Sequence, residues 1–310
     1  MRTRFIYLAL CFCFVSCQNT KEEQPAVFLT VLGIAQDAGY PQMACTKSCC
    51  SDLWESGIKG AKVSCLGLVD KTSESSFIID ATPDLPYQME ALASKCPSCS
   101  DLPTGVLLTH AHMGHYTGLM YLGRESVGAQ QIPVYMMPRM KTYLETNGPW
   151  SQLFTLQNIQ AVDLVAEEIS NLSQELSVVP FLVPHRDEFS ETVGYKIYGP
   201  NKKALFIPDI DKWERWDKSL EAEIAQVDYA FLDATFYQNG EIPGRDMSEI
   251  PHPFVEETID LLSELADAEK QKVFFIHLNH TNPLLRKGAA LDSLNDLGFQ
   301  LAEEGMIFGL

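Results

Sequence analysis

The sequence predicts an α/β fold in which two packed, mixed β-sheets are flanked by helices. Three observations carry this. Short apolar runs of strand length recur along the chain, stretches of helical spacing follow them, and several strands close on a His or an Asp. The first run, 27–34 (VFLTVLGI), leads into a turn-rich loop, Gln36-Asp37-Ala38-Gly39-Tyr40-Pro41. Runs 64–69 and 76–81 read as a hairpin, the second ending in the polar stop Asp80-Ala81-Thr82-Pro83-Asp84. Helical spacing is expected at 86–94 and 116–126, on either side of the buried strand 106–109. Later strands are expected at 178–183, 193–198, 204–207, 227–232 and 273–276, with helices over 218–226, 253–270 and 284–297. No repeat divides the chain.

The chain has 310 residues, 46% of them hydrophobic and 21% charged, without a Gly/Ser-rich, Pro-rich or like-charge run, so one globular domain is the expected organisation. Twenty-three Lys and Arg face 41 Asp and Glu, a formal charge of −18, and such a surface repels nucleic-acid phosphates and anionic headgroups. A small-molecule substrate is expected, and nucleic acid is not.

Residues 1–16 have the layout of a secretory signal: Arg2 and Arg4, an apolar stretch, then a small residue before Cys17. The apolar stretch is short for a bilayer span. Val15-Ser16-Cys17 resembles the end of a bacterial lipobox, so Cys17 is the expected lipidation site and 17–26 a polar tether to a membrane, in all expectation the outer one. The folded domain is then 27–310.

Six cysteines remain beyond the leader: Cys45, Cys49, Cys50, Cys65, Cys96 and Cys99. The spacings Cys45-x3-Cys49-Cys50 and Cys96-x2-Cys99 suit either a structural zinc or disulfides, and the expectation is one cluster drawing on both segments.

Three of the seven histidines fall within six positions, His110, His112 and His115, directly after a strand. A loop leaving a strand points His110 and His112 to one spot, and the start of the next helix aims His115 at a neighbouring one, which makes two adjacent metal positions. His185, Asp209 and His277 close strands in the same manner. A fold assembles a site from distant segments in this way.

The string VLLTHAHMGHYTGL resembles the metal motif of the metallo-β-lactamase superfamily, His-x-His-x-Asp-His after a strand. FIIDATPD, PHRDEFSETVGYKI, ALFIPD and FFIHLNH follow the superfamily's order, and VLGIAQDAGYPQMAC, DYAFLDATFY and FIHLNHTNPLL resemble its PqqB-like branch, from pyrroloquinoline quinone biosynthesis. The resemblance covers nearly all of 27–310 and implies the αββα sandwich. It also implies that His110, His112 and His185 hold one metal, that His115 and His277 serve a second, and that Asp209 bridges them. The chain departs at Gly114, which stands where the superfamily has its metal-binding Asp. That departure implies a weak second position unless Asp37, Asp211 or Asp233 substitutes. The PqqB-like branch itself has the acid and lacks the paired histidines, so its activity does not transfer directly.

A metal held by imidazoles with an open position acidifies its water and polarises a carbonyl or phosphoryl oxygen, so hydrolysis is the expected chemistry, with zinc, one ion or two, as cofactor. Asp209 would take the water's proton. His252, just ahead of a helix, would protonate the leaving group or simply anchor the helix start. Iron or manganese also suits His and Asp ligands, and iron would turn the site to oxidative chemistry. A lipoprotein that only binds a ligand is the third reading. Trp150, Trp213 and Trp216 stand as walls of a cleft or as packing.

Overall fold

The computed structural model describes residues 24–58 and 60–310; the leader and Cys17 lie outside them. The two expected sheets are present, with seven strands each among the described residues. In order across the first are Ile307–Gly309, Val27–Gly33, Cys65–Asp70, Ser75–Ile79, Gly105–Leu107, Ile132–Met136 and Ile159–Asp163. Across the second are Gln300–Leu301, Val273–Ile276, Tyr229–Asp233, Lys203–Ile207, Val193–Tyr198, Ser177–Leu182 and Ser170–Asn171.

The central strands Val27–Gly33 and Cys65–Asp70 are buried along their whole length because both faces are covered. On Val27–Gly33, Leu29 and Val31 enter the core between the sheets, where they meet a cluster that includes Phe181, Tyr195, Leu205 and Phe231. Phe28 and Leu32 face the other way, into a second cluster with Leu85 and Leu92 of the helix Leu85–Ala93. Alternate residues of a pleated strand point to opposite faces, so one run of seven feeds both layers. Each such side chain contributes about 1.5–3 kcal/mol by leaving water.

Several helices are shorter than their apolar spacing predicts. The stretch 253–270 is two helices, Val255–Leu261 and Asp267–Lys270. Between them the Ser263 hydroxyl donates to the Asp260 carbonyl at 2.7 Å, a side-chain bond that competes with the helical ladder. The segment 116–126 is a turn of α-helix, Met113–Tyr116, followed by the 3₁₀ turn Thr117–Leu122. In 284–297 the helix begins only at Ala289, after a 3₁₀ turn, Pro283–Leu285, capped by Asn282. The strands at 132–136, 159–163, 170–171, 300–301 and 307–309 are not among those the sequence predicts. The last is three residues long and exists through pairing with Val27–Gly33, some 280 residues earlier, Phe308 standing opposite Leu29. Among the described residues, no helix is long and apolar enough to cross a membrane.

Three neighbouring strands of the second sheet, Lys203–Ile207, Tyr229–Asp233 and Val273–Ile276, run parallel. So do Ser75–Ile79 and Gly105–Leu107 in the first. Parallel strands end on the same edge, so the residues that close them gather there: Asp80, His110, Asp209, Asp233 and His277.

Candidate metal centre

Three groups of ligand-type atoms meet at this edge and share one carboxylate, the smallest being Asp209, Asp233 and His252. The first comprises His110, His112, His185 and Asp209, and the second Asp37, His115, Asp209 and His277; within each group one ligand atom per residue lies within 4.8 Å of all the others. Asp209 is their junction. Its Oδ2 is 3.3 Å from His110 Nε2, 3.2 Å from His115 Nε2 and 3.4 Å from His277 Nε2, and its Oδ1 is 3.5 Å from His185 Nε2. His110 Nε2 and His112 Nδ1 stand 2.9 Å apart.

The rings are oriented from behind. His115 donates from Nδ1 to Asp80 Oδ2 at 2.7 Å, and Asp80 also accepts from the Thr109 backbone N–H at 2.8 Å. His277 Nδ1 faces the Thr235 hydroxyl at 2.9 Å, which itself donates to Asp233 Oδ1 at 2.7 Å. With Nδ1 engaged, Nε2 of each ring is left for the centre, the arrangement that metal-binding histidines require. Asp80 and His277 both hold left-handed backbone conformations, φ 72° and 67°. Such conformations are uncommon for residues with a Cβ and recur at functional sites.

A metal ion fits this arrangement. Buried polar atoms in folded proteins are almost always partnered, and an orphan costs about 1–3 kcal/mol. Here Asp37 Oδ1, His115 Nε2, His185 Nε2, His277 Nε2 and Asp209 Oδ1 are all buried without an aligned hydrogen bond. They crowd within a few ångströms of one another, which an ion satisfies and an empty centre does not. Imidazole and carboxylate donors suit zinc, iron or manganese.

The electrostatics differ between the two groups. Burial pushes His110 and His112 down and brings His185 to about 4, so these rings are neutral and ready to coordinate. His115 is raised well above the usual range: burial opposes the charge, but Asp80, Asp209 and Asp37 outweigh it. Asp209 and Asp37 are held well below the carboxylate range, since the histidines around them more than offset the burial. A bound cation takes over the role of these protons, so metal binding here releases protons.

His252, its ring beside those of His185 and His277, meets Asp209 through Nδ1 at 3.2 Å while donating to Asp233 Oδ2 at 2.8 Å. Burial works against its charge, yet Asp233 and Asp209 raise it to about 9.

Of the three acids considered as substitutes at the second position, only Asp37 reaches it. Asp233 is committed to His252, to Thr235 and to the Ile210 backbone N–H. Asp211 pairs with Arg215 at 2.6 Å and accepts from the Lys212 N–H. The cysteines also depart from expectation. Cys96 and Cys99 are disulfide-bonded to each other, so they cannot join the other segment. Cys45, Cys49 and Cys50 instead meet His280, within 4.8 Å of one another, as a separate candidate metal group. His280 was not singled out from the sequence, although it stands three residues after His277 in the closing motif. Trp213 and Trp216 are core residues, their Nε1 donating to the Thr258 hydroxyl and the Leu182 carbonyl. Trp150 packs against Tyr116 and Tyr143.

Residues 76–278 match the beta-lactamase superfamily domain. The chain belongs to this superfamily. Every residue of both histidine-centred groups lies inside the matched stretch except Asp37, which precedes it. Coenzyme PQQ synthesis protein B of Methylorubrum extorquens is 26% identical over 306 residues, spanning 91% of this chain and 99% of that protein. Its counterpart from Methylococcus capsulatus is 24% identical over 316 residues, spanning 90% and 99%. Among solved structures, zinc-bound PqqB from Methylobacterium extorquens superposes with a TM-score of 0.73 at 23% identity, over 91% of this chain and 100% of that one. A diphosphatase of the PhnP family gives 0.64 at 19%, over 91% and 96%. These likenesses establish the superfamily's two-sheet fold for the chain.

Proposed function

We propose that the protein is a metal-dependent hydrolase of a small-molecule substrate, with zinc as cofactor. The observation that supports it best is Asp209, one buried carboxylate set between two groups of metal-type donors and touching a fifth ring, His252. His110, His112 and His185 would hold an ion, which when bound would supply Lewis acidity for the scissile bond's oxygen and for the attacking water. Asp209 Oδ1, which makes no aligned hydrogen bond among the described residues, accepts the proton of the attacking water. His252 keeps its Nδ1 proton on Asp233 and would deliver a proton from Nε2 to the leaving group. The bond cleaved is a matter for a substrate panel, in which phosphodiesters come first because a diphosphatase and human tRNase Z share the fold.

The test combines metal analysis of the purified protein with that panel, which also includes esters, thioesters and lactones. Expected is hydrolysis that a chelator abolishes and zinc or manganese restores, and that His110→Ala loses together with one ion. Hydrolysis indifferent to chelation and to His110→Ala would overturn the reading. A second reading rests on the relatives of nearly equal length, the PQQ synthesis B proteins. On that reading the same ligands hold iron and the enzyme is oxidative. Iron as the native metal, with turnover that consumes dioxygen, would favour it.

A further inference from the structure

We propose that Asp37 is the carboxylate ligand of the second metal position, relocated from the histidine loop to the opening loop, and that position 114 is glycine because Asp37 fills the vacated place. The inference rests on the reading that the histidine centre holds metal, and it deepens that reading by completing the ligand set.

Three independent observations converge on it. Asp37 Oδ1 is aimed into the second group, 3.2 Å from His115 Nε2 and 3.9 Å from His277 Nε2, buried and without an aligned hydrogen bond. The loop that carries it is stitched beside His277. The Gln36 N–H donates to the Leu278 carbonyl and the Leu278 N–H to that of Ile34, each at 2.8 Å, while Gln36 Nε2 steadies Asp37 Oδ2 at 3.2 Å. The third observation is steric. A Cβ on Gly114 would stand 2.6 Å from the Cα of Asp37, closer than such atoms come, and a Cα cannot swing aside as a side-chain tip can. The loop in this position and an aspartate at 114 therefore exclude each other. The carboxylate has changed its place in the chain and kept its place in space.

The resulting ligand set, Asp37, Asp209, His115 and His277, brings two negative charges and two imidazoles to a divalent ion. That composition matches what the superfamily pattern supplies through its own Asp, so the second position is not weakened by Gly114.

The experiment is zinc stoichiometry and affinity of the full chain, by elemental analysis after dialysis and by titration against a chelating dye. The cysteine group also takes up zinc, so the readout is the difference between variants. Asp37→Asn, which keeps the size and the Gln36 contact, is expected to hold one ion fewer than wild type, or to hold it more than about 100-fold more weakly, beyond the loss of an outer-sphere partner. Asp37→Gly combined with Gly114→Asp is expected not to regain that ion while the opening loop keeps its place, because the Cα of residue 37 still stands 2.6 Å from the new Cβ. Gly114→Asp alone is expected to gain nothing and to lower the thermal midpoint, because both acids then contend for one space. Wild-type stoichiometry and affinity in Asp37→Asn would overturn the proposal. If His110→Ala still loses an ion and the hydrolysis while Asp37→Asn does not, the hydrolase reading stands and the relocated ligand falls. If Asp37→Asn does not fold, Asp37→Ser decides: one ion fewer than wild type upholds the proposal, and wild-type stoichiometry and affinity overturn it.

Discussion

Asp80 Oδ2 lies 2.7 Å from Nδ1 of His115, and this contact decides which nitrogen of that ring faces the metal centre. The strand Ser75–Ile79 ends one residue earlier, so the carboxylate is delivered by the first sheet to a ring at the start of the next helix. Asp80→Ala is expected to weaken metal binding about 10- to 100-fold, as loss of an outer-sphere partner does. It also orphans the Thr109 N–H, at a cost of about 1–3 kcal/mol. Dye competition and urea denaturation measure the two effects separately.

His252 is expected to act on the leaving group. His252→Ala should lower kcat about 10²- to 10⁴-fold for substrates whose leaving group needs a proton and much less for nitrophenyl esters, with metal content unchanged. A uniform loss across leaving groups, with a lower thermal midpoint, would instead mark His252 as an anchor of the helix Val255–Leu261.

The two cysteine sets should respond to different reagents. Removing metal, or Cys49→Ser, is expected to lower the thermal midpoint, since Cys45, Cys49, Cys50 and His280 tie the opening loop to the segment after His277. Burial lifts Cys50 to about 12, so its thiolate depends on a bound cation, and acid should release this ion. Reduction of Cys96–Cys99 is expected to cost well under the roughly 3 kcal/mol of a 15-residue loop, because the bridge spans a separation of only three residues.

Acid should also destabilise the fold away from the metal centre, through Asp70. Its burial favours the neutral form, but hydrogen bonds from Ser73, Thr72 and Ser173 bring it down to about 2. A carboxyl whose folded value is depressed stabilises above its unfolded value, near 4, and loses that contribution as the pH falls toward 2. The loss is expected to be about 1–2 kcal/mol, and Asp70→Asn should remove that part of the pH dependence. Denaturation series at pH 5, 4, 3 and 2 would show it. A wild-type and variant difference that stays constant over this range would dismiss Asp70 as the cause.

Export and lipid anchoring remain a proposal from the leader alone. Cys17→Ser is expected to abolish incorporation of labelled fatty acid and to release the protein into the soluble fraction. Unchanged membrane partition would refute it.

The sequence by itself determined the layers and the histidine centre. Apolar runs such as 193–198 and 273–276 became strands with those same bounds. His110, His185, His277 and Asp209 could be read because each follows the end of a strand, and strands of one direction end together whatever their separation in the chain. Tertiary structure alone decided what depended on distance through space. The strand Ile307–Gly309 forms because Val27–Gly33 offers it an edge. Cys96 finds Cys99 and leaves Cys45, Cys49 and Cys50 to His280. Asp37, Asp211 and Asp233 looked equivalent along the chain, since each is an acid near a strand end. Only the docking of the opening loop beside Leu278 brings Asp37 to His115, and only the missing Cβ of Gly114 gives it room. Periodicity records which way a residue points from its own strand, whereas a ligand set is fixed by where separate segments come to rest.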